Sequence, residues 1–215
     1  MKTCRNPQWL LGAVALAVTL PVGLRSTAAA DAGAVIEVLP ANPAATVARQ
    51  KSLVEKAPQG ATLVAYLDCG AARESVGAGP VKIVCTSGKP YQFPSDAPGV
   101  PATQSTIFFD TGEVVFEIRG LDSSRRYQLG MTWWDYDNSG RTQSVVVGSP
   151  DGRLVRLAVP AIRLPDYKDS RLLPAERRFQ LPVTFAQDGK LRLAVQQVAG
   201  ANAVIGELWI YQWTP

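Results

Sequence analysis

From about residue 61 onward, apolar residues fall in short runs of Val, Ile, Leu, Phe and Tyr, often at alternate positions. Gly, Pro, Asp and Asn separate the runs. Alternation is the period of a half-buried β-strand. Ten such runs can be marked: "ATLVAYLDC", "VKIVCT", "STIFFD", "EVVFEIRG", "RRYQLGMTWWDYD", "RTQSVVVGS", "RLVRLAVPA", "RRFQLPVTF", "KLRLAVQQVA" and "AVIGELWIYQW". Asp151–Gly152, Asp188–Gly189 and "NSG" (138–140) are turn sequences between them. Ten short strands with no strong helical pattern between them predict an all-β domain over residues 60–215, an antiparallel β-sandwich of jelly-roll type. Residues 31–59 break the pattern, being rich in Ala, Pro, Lys and Gln. They read as an N-terminal arm or linker, in which "ATVARQKSLVEKA" forms one short helix that is free or packed on the domain. There is no internal repeat.

The first thirty residues are of another kind. Lys2 and Arg5 precede an apolar run from Trp9 to Leu24 broken by Pro21, and "STAAADAG" offers an Ala28-x-Ala30 motif. This is the pattern of a secretory signal peptide (1–30) cut after Ala30. The run falls short of the ~20 apolar residues of a spanning helix, and no later segment is long enough to span. Cys4 precedes the apolar run, which is the wrong place for lipid attachment. The expectation is a secreted or periplasmic chain with no membrane span once the leader is removed.

That removal changes the charge. Of 22 Lys and Arg, three (Lys2, Arg5, Arg25) lie in the leader; 19 remain against 18 acids, so a net charge of +4 becomes about +1. A near-neutral chain without a basic run offers no electrostatic footprint for nucleic acid; "SSRR" (123–126) and "ERR" (176–178) read as solvated loop charges. Two of the three cysteines, Cys69 and Cys85, survive cleavage. In an oxidising compartment they are expected to pair, closing a loop of roughly 15 residues for about 3 kcal/mol; two buried thiols are the alternative. The chain has no histidine, which removes the usual base of Ser–His and Cys–His hydrolases and, with so few cysteines, argues against zinc.

"RRYQLGMTWWDYDNSGRTQSVVVGSPDG" reads as a strand ending in aromatics and acids, a turn, then Arg141 and a Val-rich strand. "DGKLRLAVQQVAGANAVIGELWIYQ" reads as two closing strands around a loop containing Asn202. Together, over about residues 110–213, this pattern resembles the malectin and galactose-binding-like sandwiches. The resemblance implies a sandwich that often binds carbohydrate or accompanies an enzyme, although some members have no known ligand.

"WWDYDNSGR" (133–141) holds the densest candidate chemistry. Strand alternation sends Tyr127, Leu129, Met131 and Trp133 to the core and Gln128, Gly130, Thr132 and Trp134 outward or into a groove. Trp134 and Tyr136 are then the residues to stack on a sugar, with Asp135, Asp137, Asn138 and Arg141 giving polar contacts; alternatively, Trp134 is covered by another strand or by the arm. Asp135, Asp137, Ser139 and Gly140 also look like the start of a calcium loop. An EF-hand needs Glu at the twelfth position, where Val146 stands, so structural calcium would have to be held by Asp135, Asp137 and a distant acid such as Glu207. Arg141 either pairs with Asp135 or Asp137 across the turn or binds an acidic sugar.

A second aromatic patch alternates in "ELWIYQW": Trp209, Tyr211 and Trp213 against Leu208, Ile210 and Gln212. If Leu208 and Ile210 face the core, the aromatics form a flat platform; if not, the platform vanishes. Periodicity leaves both open. Nucleophile-elbow, phosphate-loop and dinucleotide motifs are missing, and no two carboxylates are visibly paired for glycoside hydrolysis. The sequence thus points to an exported, non-enzymatic module binding a glycan or a cell-envelope protein. A structural or assembly module and a Tyr–Arg–Lys polysaccharide lyase are the alternatives.

Overall fold

The computed structural model describes residues 42–93, 105–165 and 175–214. The leader expected over 1–30 and residues 31–41 of the arm lie outside them. The described residues form one α-helix, α1 (Pro43–Glu55), and twelve strands. The strands are β1 (Ala61–Asp68), β2 (Lys82–Ser87), β3 (Lys89–Gln92), β4 (Thr106–Asp110), β5 (Glu113–Arg119), β6 (Arg126–Trp133), β7 (Thr142–Gly148), β8 (Val155–Arg163), β9 (Ala175–Gln180), β10 (Leu191–Ala199), β11 (Ala203–Ile205) and β12 (Glu207–Trp213). All the strand pairs are antiparallel, in sheets of order β1-β12-β6-β9, β2-β5-β10-β7-β8 and β11-β4-β3. The molecule is an antiparallel β-sandwich, as the alternation predicts.

There are two more strands than the ten runs marked. β3 holds Pro90, and a strand with a proline suits only a sheet edge, which is where β3 lies. "AVIGELWIYQW" divides at Gly206, so that β11 pairs with β4 while β12 runs between β1 and β6. "RRFQLPVTF" keeps only its first half as strand: past Leu181–Pro182 the chain makes a 3-10 turn, Val183–Phe185. At Asp188–Gly189 both residues have positive φ (49° and 71°), the backbone of a tight hairpin.

One core joins the sheets. Tyr127, Leu129, Met131 and Trp133 of β6 and Leu208 and Ile210 of β12 meet Phe116 and Ile118 of β5, Val145 and Val147 of β7, and Leu193 and Val195 of β10. The β6 alternation therefore runs as expected up to Trp133. Cys69 and Cys85 do not form the expected disulfide. Both are free thiols in this core, with the Cys85 Sγ 3.5 Å from the Ser87 carbonyl. A thiol packs well as a small apolar side chain, and burial pushes Cys85 up to about 12.

α1 starts two residues before the marked segment because Asn42 caps it. The Asn42 side chain accepts from the Ala45 N–H at 3.1 Å, and Pro43 opens the first turn. The helix lies on the outer face of the four-stranded sheet, where Leu53 packs with Tyr66, Trp209 and Tyr211.

On that face Gly130 of β6 sits directly under the Trp209 indole: a Cβ there would lie 2.1 Å from the ring carbon Cε2. Gly130→Ala must displace the indole and is expected to cost about 1–3 kcal/mol. Urea unfolding reads this as a lower midpoint; an unchanged midpoint would show that the ring has room to move.

Candidate functional site

The turn after β6 holds the first candidate group, and it is closed. Beyond Trp133 the chain leaves the strand, so alternation no longer decides where side chains point. Trp134 (3 % exposed) and Tyr136 (5 %) both turn into the core. Phe93, just after β3, stacks on Tyr136 with centroids 4.1 Å apart and planes 6° apart. The expectation that Trp134 and Tyr136 stand outward to stack on a sugar is corrected: the protein's own rings take that position.

The polar residues of the turn are likewise engaged. Asp135 accepts from the N–H groups of Ser139 (3.1 Å), Gly140 (2.8 Å) and Arg141 (3.2 Å) and from Arg141 Nη1 (2.7 Å). Arg141 also pairs with Asp137 and donates through Nε to Asn202 Oδ1 at 2.9 Å. Asn138 takes the left-handed conformation, with φ 53°. The hydrogen bond from Arg141 holds the Asp137 carboxyl below the usual carboxylate range. Of the two roles open to Arg141, the structure shows the ion pair that fixes the turn. The cation between Asp135 and Asp137 is its guanidinium. Glu207, the third acid expected for calcium, belongs to a different cluster, and among the described residues no three acidic or cysteine side chains are grouped as metal ligands.

The second group lies on the outer face of the four-stranded sheet. Leu208 and Ile210 enter the core, so Trp209, Tyr211 and Trp213 form a row on the opposite face. Each ring has an arginine beside it: Arg49 at 5.4 Å from Trp209, Arg178 at 5.7 Å from Tyr211 and Arg126 at 4.3 Å from Trp213. α1 covers the first two rings, and the Tyr211 hydroxyl donates to the Leu53 carbonyl at 2.7 Å. Trp213 is partly exposed and its Nε1 donates to the Gln59 carbonyl at 3.2 Å.

At the head of the row stands Glu207, fully buried. Its carboxylate accepts from Arg49 Nε and Nη2 (both 3.0 Å), the Tyr66 hydroxyl (2.9 Å) and Thr132 Oγ1 (3.0 Å). Asp68, which faces Glu207 across the β1–β12 ladder, accepts from Thr106 Oγ1 at 2.9 Å. Burial, together with the charge of Glu207, raises Asp68 to about 7. Alternation sends Thr132 outward but assigns it no role, and Arg49, Tyr66, Asp68 and Thr106 were not singled out from the sequence.

No protein-family model and no curated protein matches the chain. Among solved structures, the ANXUR2 extracellular domain from Arabidopsis thaliana is similar at a TM-score of 0.50 and 9 % identity, over 72 % of this chain and 50 % of that one. The CBM22-1 xylan-binding domain of Paenibacillus barcinonensis Xyn10C gives 0.37 at 14 % identity, covering 73 % of this chain and 88 % of its own. Bacteroides uniformis β-glucuronidase gives 0.43 at 7 %, over 60 % of this chain and 14 % of the enzyme. The chain thus spans half the ANXUR2 domain and about one seventh of the glucuronidase. Its fold is an antiparallel β-sandwich similar to that of the ANXUR2 extracellular domain, which agrees with the fold implied by the resemblance over residues 110–213.

Asp68 makes stability depend on pH. Its carboxyl stands at about 7 in the fold against 3.8 for the ordinary group. Between those values the folded protein holds a proton that the unfolded chain releases, so stability rises as pH falls from above 7 towards 4. The gain is at most roughly 4 kcal/mol. Thermal melts from pH 8 to 5 are expected to show it, and Asp68→Asn to flatten it; an equal slope in the variant would remove Asp68 as the cause.

Proposed function

We propose that the chain is an exported, non-enzymatic binding module that takes a glycan on the outer face of its four-stranded sheet. One observation carries the reading: Trp209, Tyr211 and Trp213 stand in a row facing away from the core, each beside a guanidinium. Aromatic faces accept the C–H face of a sugar ring, while guanidinium and carboxamide groups pair with its hydroxyls or carboxylate. The accessible end of the row is Trp213 with Arg126, and Gln128, Arg178 and Gln180 share this face on β6 and β9. Export is supported by Lys2, Arg5, the apolar run and Ala28-x-Ala30.

The lyase alternative needs a tyrosine able to lose its proton. Among the described residues, Tyr66 stands beside Arg49 and two carboxylates, and burial plus the charge of Glu207 drive its hydroxyl far upward. That opposes a role as base. The assembly-module reading has one observation in its favour, a groove of about 350 Å³ beside α1. Val47, Val54 and Val76 line it and are 65 %, 59 % and 47 % exposed.

Thermal-shift and calorimetric titration against xylan-, cellulose-, galactan- and pectin-derived oligosaccharides test the glycan reading. One glycan class is expected to bind. Trp213→Ala should weaken it about tenfold, the loss of one stacking contact, while Leu157→Ala on β8 leaves it unchanged. Binding indifferent to Trp213→Ala, or no binding across the panel, contradicts the site.

A further inference from the structure

α1 is held on the aromatic row by few contacts. Leu53 is its one buried residue, set among Tyr66, Trp209 and Tyr211, while Val47 and Val54 remain exposed. The rest of the hold comes from the two Arg49–Glu207 hydrogen bonds, the Arg49 guanidinium over the Trp209 ring, a hydrogen bond between the Thr46 and Asp68 side chains, and the Tyr211 hydroxyl on the Leu53 carbonyl. In a buried ion pair desolvation offsets much of the attraction, so such a pair fixes orientation better than it adds net stability. A helix fastened this way has a defined seat and a small apolar seal.

The surface it covers holds buried polar atoms without partners, as the main core does at Trp133 Nε1. The Trp209 side chain is fully buried, yet its Nε1–H has no hydrogen-bond partner, and neither does the buried Oε1 of Gln128. Both belong to the outer face: the indole lies over Gly130, and Gln128 is the next outward residue of β6. Buried donors and acceptors are paired in roughly nine cases of ten. Here an unpaired donor and an unpaired acceptor accompany a row of rings that spans about 13 Å along the strand. A chain of sugars laid on the row can pair with both.

We propose that Trp209 and Tyr211 are further glycan subsites in line with Trp213, and that α1 is a lid over them, latched by Arg49 on Glu207. This rests on the glycan reading of Trp213. A short saccharide occupies the Trp213 end alone. A longer one gains the two inner rings when α1 lifts, and its apparent affinity is reduced by the fraction of molecules with the lid closed.

Disaccharides and hexasaccharides of the xylose, glucose and galactose series, titrated into the full chain, test this. Arg49→Ala and Leu53→Ala weaken the latch and the seal; Leu53→Ala strands no charge, so it remains informative if Arg49→Ala does not fold. Either variant is expected to bind the hexasaccharide at least about fivefold tighter than the unmodified chain while disaccharide binding holds. Val47→Cys/Val76→Cys, joined by a short bismaleimide across the groove they both line, keeps α1 down; Cys69 and Cys85 are too buried to compete. The joined form is expected to bind hexasaccharide no tighter than disaccharide. Equal hexasaccharide affinity in all forms, with Trp213 still required, overturns the lid and leaves the binding module standing. No glycan bound by any form overturns both.

Discussion

The buried carboxylate of Glu207 is the constraint around which the outer face is organised. An uncompensated charge at a fully buried position is too costly to keep, and four hydrogen bonds from three other elements meet it: Tyr66 from β1, Thr132 from β6 and Arg49 twice from α1. Two of these donors sit on the strands flanking β12, within the sheet. The third comes from a helix 158 residues away in sequence. That pair fixes where α1 lies together with the Tyr211 hydroxyl on the Leu53 carbonyl and the Thr46–Asp68 hydrogen bond, since one leucine sets no unique orientation.

Burial raises the carboxyl of Asp68, and the Glu207 carboxylate adds to the rise. Asp68 faces Glu207 across the ladder, and two carboxylates so close in a dry site are not both ionised at neutral pH without cost. Glu207 takes the guanidinium, and Asp68, with Thr106 beside it, is raised to about 7. Gly130 completes the arrangement, because only a residue without a side chain lets the Trp209 indole lie flat over β6. Burial of Trp209 and Tyr211 thus follows from backbone space below and a helix above.

The sandwich was legible in the sequence because its strands have one apolar face, and alternation reads that face directly. Where both sets of alternate residues are apolar, as in "ELWIYQW", the period carries no direction. Only the pairing partners show that Leu208 and Ile210 turn inward. Trp134 and Tyr136 were misplaced because alternation was extended past Trp133, where the strand ends and the turn is governed by Asp135 and Arg141. The disulfide was inferred from compartment and count, which do not register that each thiol is already packed in the core. The Asn42–Pro43 start of α1 is a local signal that was passed over, since the marked segment begins at Ala45. The link from Arg49 to Glu207 was not, since neither residue's surroundings distinguish it from other charged positions.

The central claim is that the Arg49–Glu207 pair fastens α1 to the sheet. A double-mutant cycle tests it most directly: Arg49→Met, Glu207→Gln and the pair together, each unfolded in urea. Residues that share a buried ion pair couple strongly, and the account predicts an interaction energy of about 2 kcal/mol or more. Costs that add to within about 0.5 kcal/mol would show that α1 is held by something else.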